Sequence, residues 1–194
     1  MAQPGEEESL WKQLAPHLNE LRKRLGVVLL VLAGGVIASF FFAEQVIHLI
    51  AMPIGGLDKL QSIQITENIG VYMRVALLTG FIPAVPVLVG ELLAFIRPGL
   101  LDHERSWLDR SLLFVVPFAL LLFVGGAAFA FFVMLPAALP FLINFLGVQT
   151  NPRLSDYMNF VTNLLFWVGI SFETPLVVFV LAKLHLVSAG MLLR

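Results

Sequence analysis

Four stretches of this chain, residues 25–43, 75–96, 111–152 and 157–182, make up more than half of its 194 residues yet hold only two charged side chains, Glu91 and Glu173. A helix rises 1.5 Å per residue, so about 20 mainly apolar residues cross the hydrocarbon layer of a bilayer. Each stretch is long enough. No water is available there to satisfy the backbone, which favours helices, whose N–H and C=O groups are paired within one segment. Charged residues are 13% of the chain, about half the share of a soluble domain. The expected fold is all-α: a polytopic membrane helix bundle, one transmembrane domain over residues 1–194, with spans at about 25–43, 71–96, 111–135 and 157–182.

Basic residues beside a span resist crossing, so Arg22, Lys23 and Arg24 assign the N-terminus to the cytoplasm. Four spans then leave nine basic residues inside (Lys12, Arg22, Lys23, Arg24, Arg97, Arg105, Arg110, Lys183 and Arg194) and three outside (Lys59, Arg74 and Arg153). Two spans within the third stretch would give eight to four. Pro136 and Pro140, which lack the N–H that continues a helix, favour one span ending near Leu135, with residues 136–150 lying at the outer interface. Leu14, Leu18, Leu21 and Leu25 recur at helical spacing and predict an amphipathic helix on the cytoplasmic face, with Pro16 in its first turn. Residues 44–70 read as a long outer loop turning at Pro53-Ile54-Gly55-Gly56, and residues 97–110 as a tight cytoplasmic loop turning at Pro98-Gly99. Asn151-Pro152 begins the turn into the last span.

The supply of reactive groups argues against an enzyme. Zero Cys removes thiol chemistry, there is no HExxH pair or Gly-rich phosphate loop, and no Lys lies inside a span to activate a serine. No metal site or cofactor is indicated, since His17, Glu20, His103 and Glu104 do not make three converging ligands by spacing. A net charge of −1 gives no surface for nucleic acid.

What remains is a set of carboxylates. Glu20 stands beside Arg22, Lys23 and Arg24, and Glu104 between His103 and Arg105. An ionised carboxylate accepts two parallel N–H bonds from a guanidinium, so these two suit an extended cationic peptide. Equally, Glu20 and Arg24 are four apart and can pair along one helix face, and Glu104 can be neutralised by Arg105 or Arg110. Glu91, six residues before Arg97, reads as reaching the interface. Glu173 lies between Phe172 and Pro175 with no other charge in its stretch. A charge at mid-membrane costs about 3 kcal/mol, so such a residue normally faces a cavity, a partner or a proton path. A small proton- or cation-coupled transporter titrating at Glu173 is the alternative this residue allows. Pro83, Pro86, Pro117 and Pro175, with Gly34, Gly35, Gly125 and Gly126, predict kinked helices in close contact.

Several ordered motifs resemble one family. His17-Leu18-Asn19-Glu20-Leu21-Arg22-Lys23-Arg24-Leu25 is similar to the HLxELRxRL opening of TatC, the multispanning receptor subunit of the twin-arginine (Sec-independent) protein translocase. Thr66-Glu67 with Tyr72 and Arg74 resembles that family's entry into the second span. Phe95-Ile96-Arg97-Pro98-Gly99-Leu100 with His103-Glu104-Arg105 resembles its FxxPGLxxxER loop, and Tyr157, Phe160, Gly169, Phe172, Glu173 and Pro175 resemble its fourth span.

The resemblance implies a receptor in the cell's plasma (inner) membrane that binds twin-arginine signal peptides of folded cargo at the cytoplasmic face and scaffolds the translocon, with transport driven by the proton gradient. It implies roles for Glu20, Glu104 and Phe95, with Arg22, Pro98 and Arg105 in the same patch, and an intramembrane polar role for Glu173. Expected partners are TatA- and TatB-type single-span subunits, other copies of the chain and membrane lipid. The family usually has six spans, so four imply a chain truncated at its C-terminus or one that works with four. Leu93, Glu91 and Leu101 stand where Trp, Gln and Tyr are common.

Overall fold

The computed structural model describes residues 4–100, 102–144 and 152–183, with side chains from residue 15 onward. Among these the elements are α1 (Pro4–Ser39), α2 (Ala43–Ala51), α3 (Glu67–Ile96), α4 (Asp102–Phe129), α5 (Leu135–Ile143) and α6 (Leu154–Lys183). Three helical stretches, Glu67–Gly99, Asp102–Ile143 and Leu154–Lys183, are each long and apolar enough to cross a membrane. The pair Ala15–Ser39 and Ala43–Ile54, bent by 76°, supplies a fourth if it counts as one span. Large apolar side chains cover the outside of this bundle, among them Leu30, Leu113, Phe114 and Phe132, each more than 70% exposed. An exposed surface of that kind is stable against lipid and not against water.

Small residues set the helix spacing. Arg24 of α1 meets Glu91 of α3, and eleven residues further along α1 Gly35 meets Gly80, eleven residues earlier on α3. The two helices therefore run antiparallel in constant register over about 16 Å. A Cβ on Gly35 would lie 2.6 Å from the Gly80 carbonyl oxygen, and one on Gly80 would lie 2.5 Å from the Val36 nitrogen. Backbone meets backbone at this crossing, which only glycine permits. Between α4 and α6 the fit is reciprocal: Phe172 lies on Gly126 and Phe123 lies on Gly169, each within 3 Å of where a Cβ would stand. Gly34 and Gly125, the neighbours the sequence groups with them, face open space.

The interior falls into two clusters. One, around Ile50, Val75, Leu135, Met158 and Val161, joins α2, α3, α5 and α6 at the end remote from Glu20. The other, around Val89, Leu93, Leu108 and Val180, joins α3, α4 and α6 near the Glu20 end. Phe81 lies between them, its ring 5.7 Å from Phe123 and 5.0 Å from Phe166.

The structure corrects four sequence expectations. The leucine-rich segment before the first span is not a separate surface helix. It is the first part of α1, which runs through Pro16 without a break and leaves Leu18, Leu21 and Leu25 about half exposed. Leu, Glu, Lys and Arg are all strong helix formers, so nothing between His17 and Leu25 stops it.

The first span also ends early. Phe40–Phe42 form a turn after Ser39, whose hydroxyl bonds back to the Gly35 carbonyl at 2.7 Å. Residues 44–70 are a largely built connection: α2, then 3₁₀ turns at Met52–Ile54 and Leu57–Lys59. The anticipated turn is there, with Gly55 and Gly56 both at positive φ.

The stretch after Leu135 is likewise helical through Ile143. Its prolines are accommodated because Ala130–Met134 form a π turn in which the Leu135 N–H bonds to the Ala130 carbonyl, shifting the register just before Pro136 would have needed its missing donor. Residues 145–150 and Asn151 lie outside the described residues. The loop after the second span is shorter than expected as well: a 3₁₀ turn at Arg97–Gly99 and then α4 from Asp102, so Glu104 and Arg105 are helical.

Gly80→Ala is expected to destabilise the α1–α3 crossing by about 1–3 kcal/mol through overpacking, while Gly34→Ala and Gly125→Ala stay near neutral. Thermal unfolding of the detergent-solubilised chain checks both.

Candidate functional site

At the Glu20 end three charged groups from two helices form one cluster. Arg24 donates Nε and Nη2 to Glu20 Oε1 at 3.2 and 2.6 Å, and Nη1 to Glu91 Oε2 at 2.9 Å. The i,i+4 spacing on α1 brings Glu20 over Arg24, and the antiparallel register brings Glu91 opposite. All three side chains keep 24 to 32% of their surface exposed, so the cluster is reachable from outside the bundle. Glu20 is thus not waiting empty: a guanidinium of the chain's own already occupies it, the pairing that its spacing allowed.

The other expected residues gather around the same end of the bundle. The Pro98-Gly99 turn connects α3 to α4, and Arg97 Nη2 closes it by pairing with Asp109 at 2.7 Å. Phe95 is half-buried on the last turn of α3, Pro98 is exposed, and Glu104 is half-buried on the first turn of α4 and engaged within the chain. Arg22 and Arg105 are exposed. Leu93 is packed into the neighbouring apolar cluster.

Glu173 is placed differently. It is 7% exposed on α6, and neither carboxyl oxygen finds a side-chain hydrogen-bond partner among the described residues. It lines an apolar cavity of about 300 Å³ between α3, α4 and α6, with Phe81, Val85, Phe123 and Thr174. Ser171, two residues before it, has its hydroxyl committed to the Trp167 carbonyl. A carboxyl buried without a partner is costly, and that marks the position as selected for something other than stability.

The opposite end is tied by Glu67, a residue the sequence marks only through the Thr66-Glu67 motif. It accepts hydrogen bonds from the backbone N–H groups of Ile63, Gln64 and Ser155 and from Arg153 Nε, at 2.7–3.3 Å. Gln61 adds a short bridge: its N–H reaches the Pro152 carbonyl and its carbonyl accepts from Leu154 N–H at 2.9 Å. The Tyr157 hydroxyl completes the tie to α2 through the Ile50 carbonyl at 2.7 Å.

Residues 16–194 match the family model for "Sec-independent protein translocase protein (TatC)". The chain belongs to the TatC family. It is 32% identical over 184 residues to the Sec-independent protein translocase protein TatC of Carboxydothermus hydrogenoformans, covering 93% of this chain and 74% of that protein. It is 34% identical over 184 residues to the Aquifex aeolicus TatC, covering 90% and 74%. A crystal structure of the twin arginine translocase receptor TatC in DDM superposes with a TM-score of 0.79 at 32% identity, covering 91% of this chain and 80% of that one. The chain is a TatC-type membrane protein, a core component of the twin-arginine translocase, and its family is a component of a protein translocase and not a classical enzyme.

Glu91 is the residue that sequence reasoning undervalued. Its distance from Arg97 suggested interfacial exposure, but the register fixed by the Gly35–Gly80 crossing turns it onto Arg24. That register was not readable from either helix alone.

Glu173→Leu is expected to raise stability by about 1–3 kcal/mol, because it removes an unpaired buried polar group from an apolar cavity. Thermal unfolding of TatC variants in detergent measures it. Glu67→Ala is expected to speed amide exchange at Gln61, Leu154 and Ser155 by about tenfold or more, read by hydrogen–deuterium exchange.

Proposed function

We propose that this chain is the signal-peptide receptor of a twin-arginine export system, with its N-terminus in the cytoplasm of a cell whose plasma or inner membrane it spans. The Glu20–Arg24–Glu91 cluster carries the reading. One guanidinium already bridges two half-exposed carboxylates there, so the site is chemically matched to guanidinium groups.

Capture then proceeds by exchange. An arriving arginine takes Glu20, and Arg24 keeps its bond to Glu91, so no carboxylate is stranded without a counter-charge. Glu104, on the facing end of α4, takes the second arginine of the signal. Phe95 and Pro98 supply apolar contact between the two, and Arg22 and Arg105 tune the local charge. The apolar part of the signal follows into the bundle toward Glu173, whose carboxyl lines an intramembrane cavity. Partners in this reading are twin-arginine precursors, TatA- and TatB-type single-span subunits, and other copies of the chain, consistent with membership of a translocase family.

Site-specific crosslinking in membranes tests it. Glu20→Ala with Glu104→Ala is expected to abolish capture of an RR-bearing precursor, as is RR→KK in the precursor. Unchanged capture in both would sink the receptor reading. Arg24→Gln removes the internal competitor and is expected to strengthen capture by up to about fivefold, the equivalent of the roughly 1 kcal/mol ceiling for a partly exposed ion pair. A titration of precursor against crosslinked product reads that change.

A further inference from the structure

At the end of the bundle opposite Glu20, Arg74 has no counter-charge among the described residues. Arg74 sits two turns into α3, on the same stripe as Glu67, Gly70 and Val71. It is half-buried and makes no hydrogen bond or ion pair with the described residues. Arg153, which lines the same cavity, is instead consumed by Glu67.

Arg74 borders two adjoining cavities. One is a polar chamber of about 300 Å³, lined also by Thr66, Glu67, Arg153, Ser155 and Asn159. With Arg153 and Glu67 cancelling, the chamber carries one unbalanced positive charge. The other is a groove of about 500 Å³, lined mainly by apolar side chains including Leu32, Leu77, Phe81 and Phe166. Gly70 and Arg74 belong to both, so the polar chamber opens onto the groove at the guanidinium. Asn159, on the α6 wall of the chamber, also makes no side-chain hydrogen bond with the described residues.

We infer that this pair of cavities is a binding site for an anionic phospholipid of the leaflet opposite Glu20. The phosphate lies against Arg74 and Asn159, and one acyl chain lies along the groove past Leu77 to Phe81. The chemistry fits from both ends. A guanidinium just inside the hydrocarbon boundary reaches for phosphate oxygens, with which it forms charge-assisted bonds in a place where water is scarce. The groove below takes only an apolar chain, and Met73 and Leu77 at its rim are about half exposed to the surrounding lipid. A free anion would leave the groove unfilled, and an uncharged lipid would leave Arg74 unpaired. The site is independent of the signal-peptide reading, since it uses neither Glu20, Glu104 nor Glu173.

The test is photolabelling of the full chain in mixed detergent micelles with phosphatidylglycerol carrying a diazirine in one acyl chain. Diacylglycerol with the same diazirine is the phosphate-free comparison. Phosphatidylglycerol is expected to label the peptides bearing Leu77, Phe81 and Phe166, and diacylglycerol to label them about tenfold less. Arg74→Gln is expected to lose the labelling by a similar factor, while Arg74→Lys, which keeps the charge, retains most of it.

Equal labelling by the two lipids of the wild-type chain overturns the proposal without any variant. So does unchanged labelling in a folded Arg74→Gln chain. Displacement of the label by inorganic phosphate would assign Arg74 to a free anion, and capture there of a transmembrane helix bearing a carboxylate would assign it to a protein partner; either result overturns the lipid site.

Discussion

A bilayer offers an ionised side chain no water, so each charge in this bundle must be matched by the chain itself or by something that docks on it. The carboxylates divide on that basis. Glu67 is fully matched, with three backbone donors and a guanidinium around one group, and it is only 6% exposed. Glu20 and Glu91 are matched by sharing a single Arg24. Glu173 has no counter-charge among the described residues. The order runs from structural to functional: the more completely a carboxylate is served by its own chain, the less it has to give to a ligand.

The helix-bundle class, the turns at Pro53–Gly56 and Pro98–Gly99, and the isolation of Glu173 were legible because each follows from local composition. The motif residues Glu20, Phe95, Pro98 and Glu104 drew attention to the end of the bundle where the Arg24 cluster lies. What was not legible depends on tertiary register. Gly35 and Gly126 were foreseen as contact residues, but their partners Gly80 and Phe172, and the equivalent contact of Phe123 on Gly169, need two helices placed together. Glu91 turned on the same register. Pro136 misled for a different reason: a proline stops an α-helix only when its turn has normal register, and the π turn at Ala130–Met134 removes that condition.

The two ends of the bundle are held by interactions of different kinds. Opposite Glu20, the connection before α3 and the start of α6 are joined through the Glu67 carboxylate, which accepts backbone N–H groups from both, and by the Gln61 bridge, which fixes main chain to main chain. At the Glu20 end, the polar tie between α1 and α3 among the described residues is made by side chains, through the Arg24 guanidinium. A ligand that replaces Arg24 at Glu20 therefore changes the coupling between α1 and α3 without disturbing the far end. The Gly35–Gly80 contact, eleven residues away, is the natural pivot, since it is where the two backbones touch.

This arrangement also explains why arginine and lysine differ at such a site. Arg24 spans Glu20 and Glu91 with separate nitrogens of one planar group, about 2.6 and 2.9 Å from their acceptors. A lysine ammonium is a compact point charge that holds its water more tightly, and it cannot present donors along two edges of a plane. An incoming lysine would meet a Glu20 already satisfied by a geometrically better internal ligand and would gain too little to displace it. An incoming arginine competes on equal terms, and its neighbour's bond to a second carboxylate then decides the exchange. In the proposed receptor reading, selectivity for arginine would follow from the occupied state of the site, because an empty carboxylate would accept either cation.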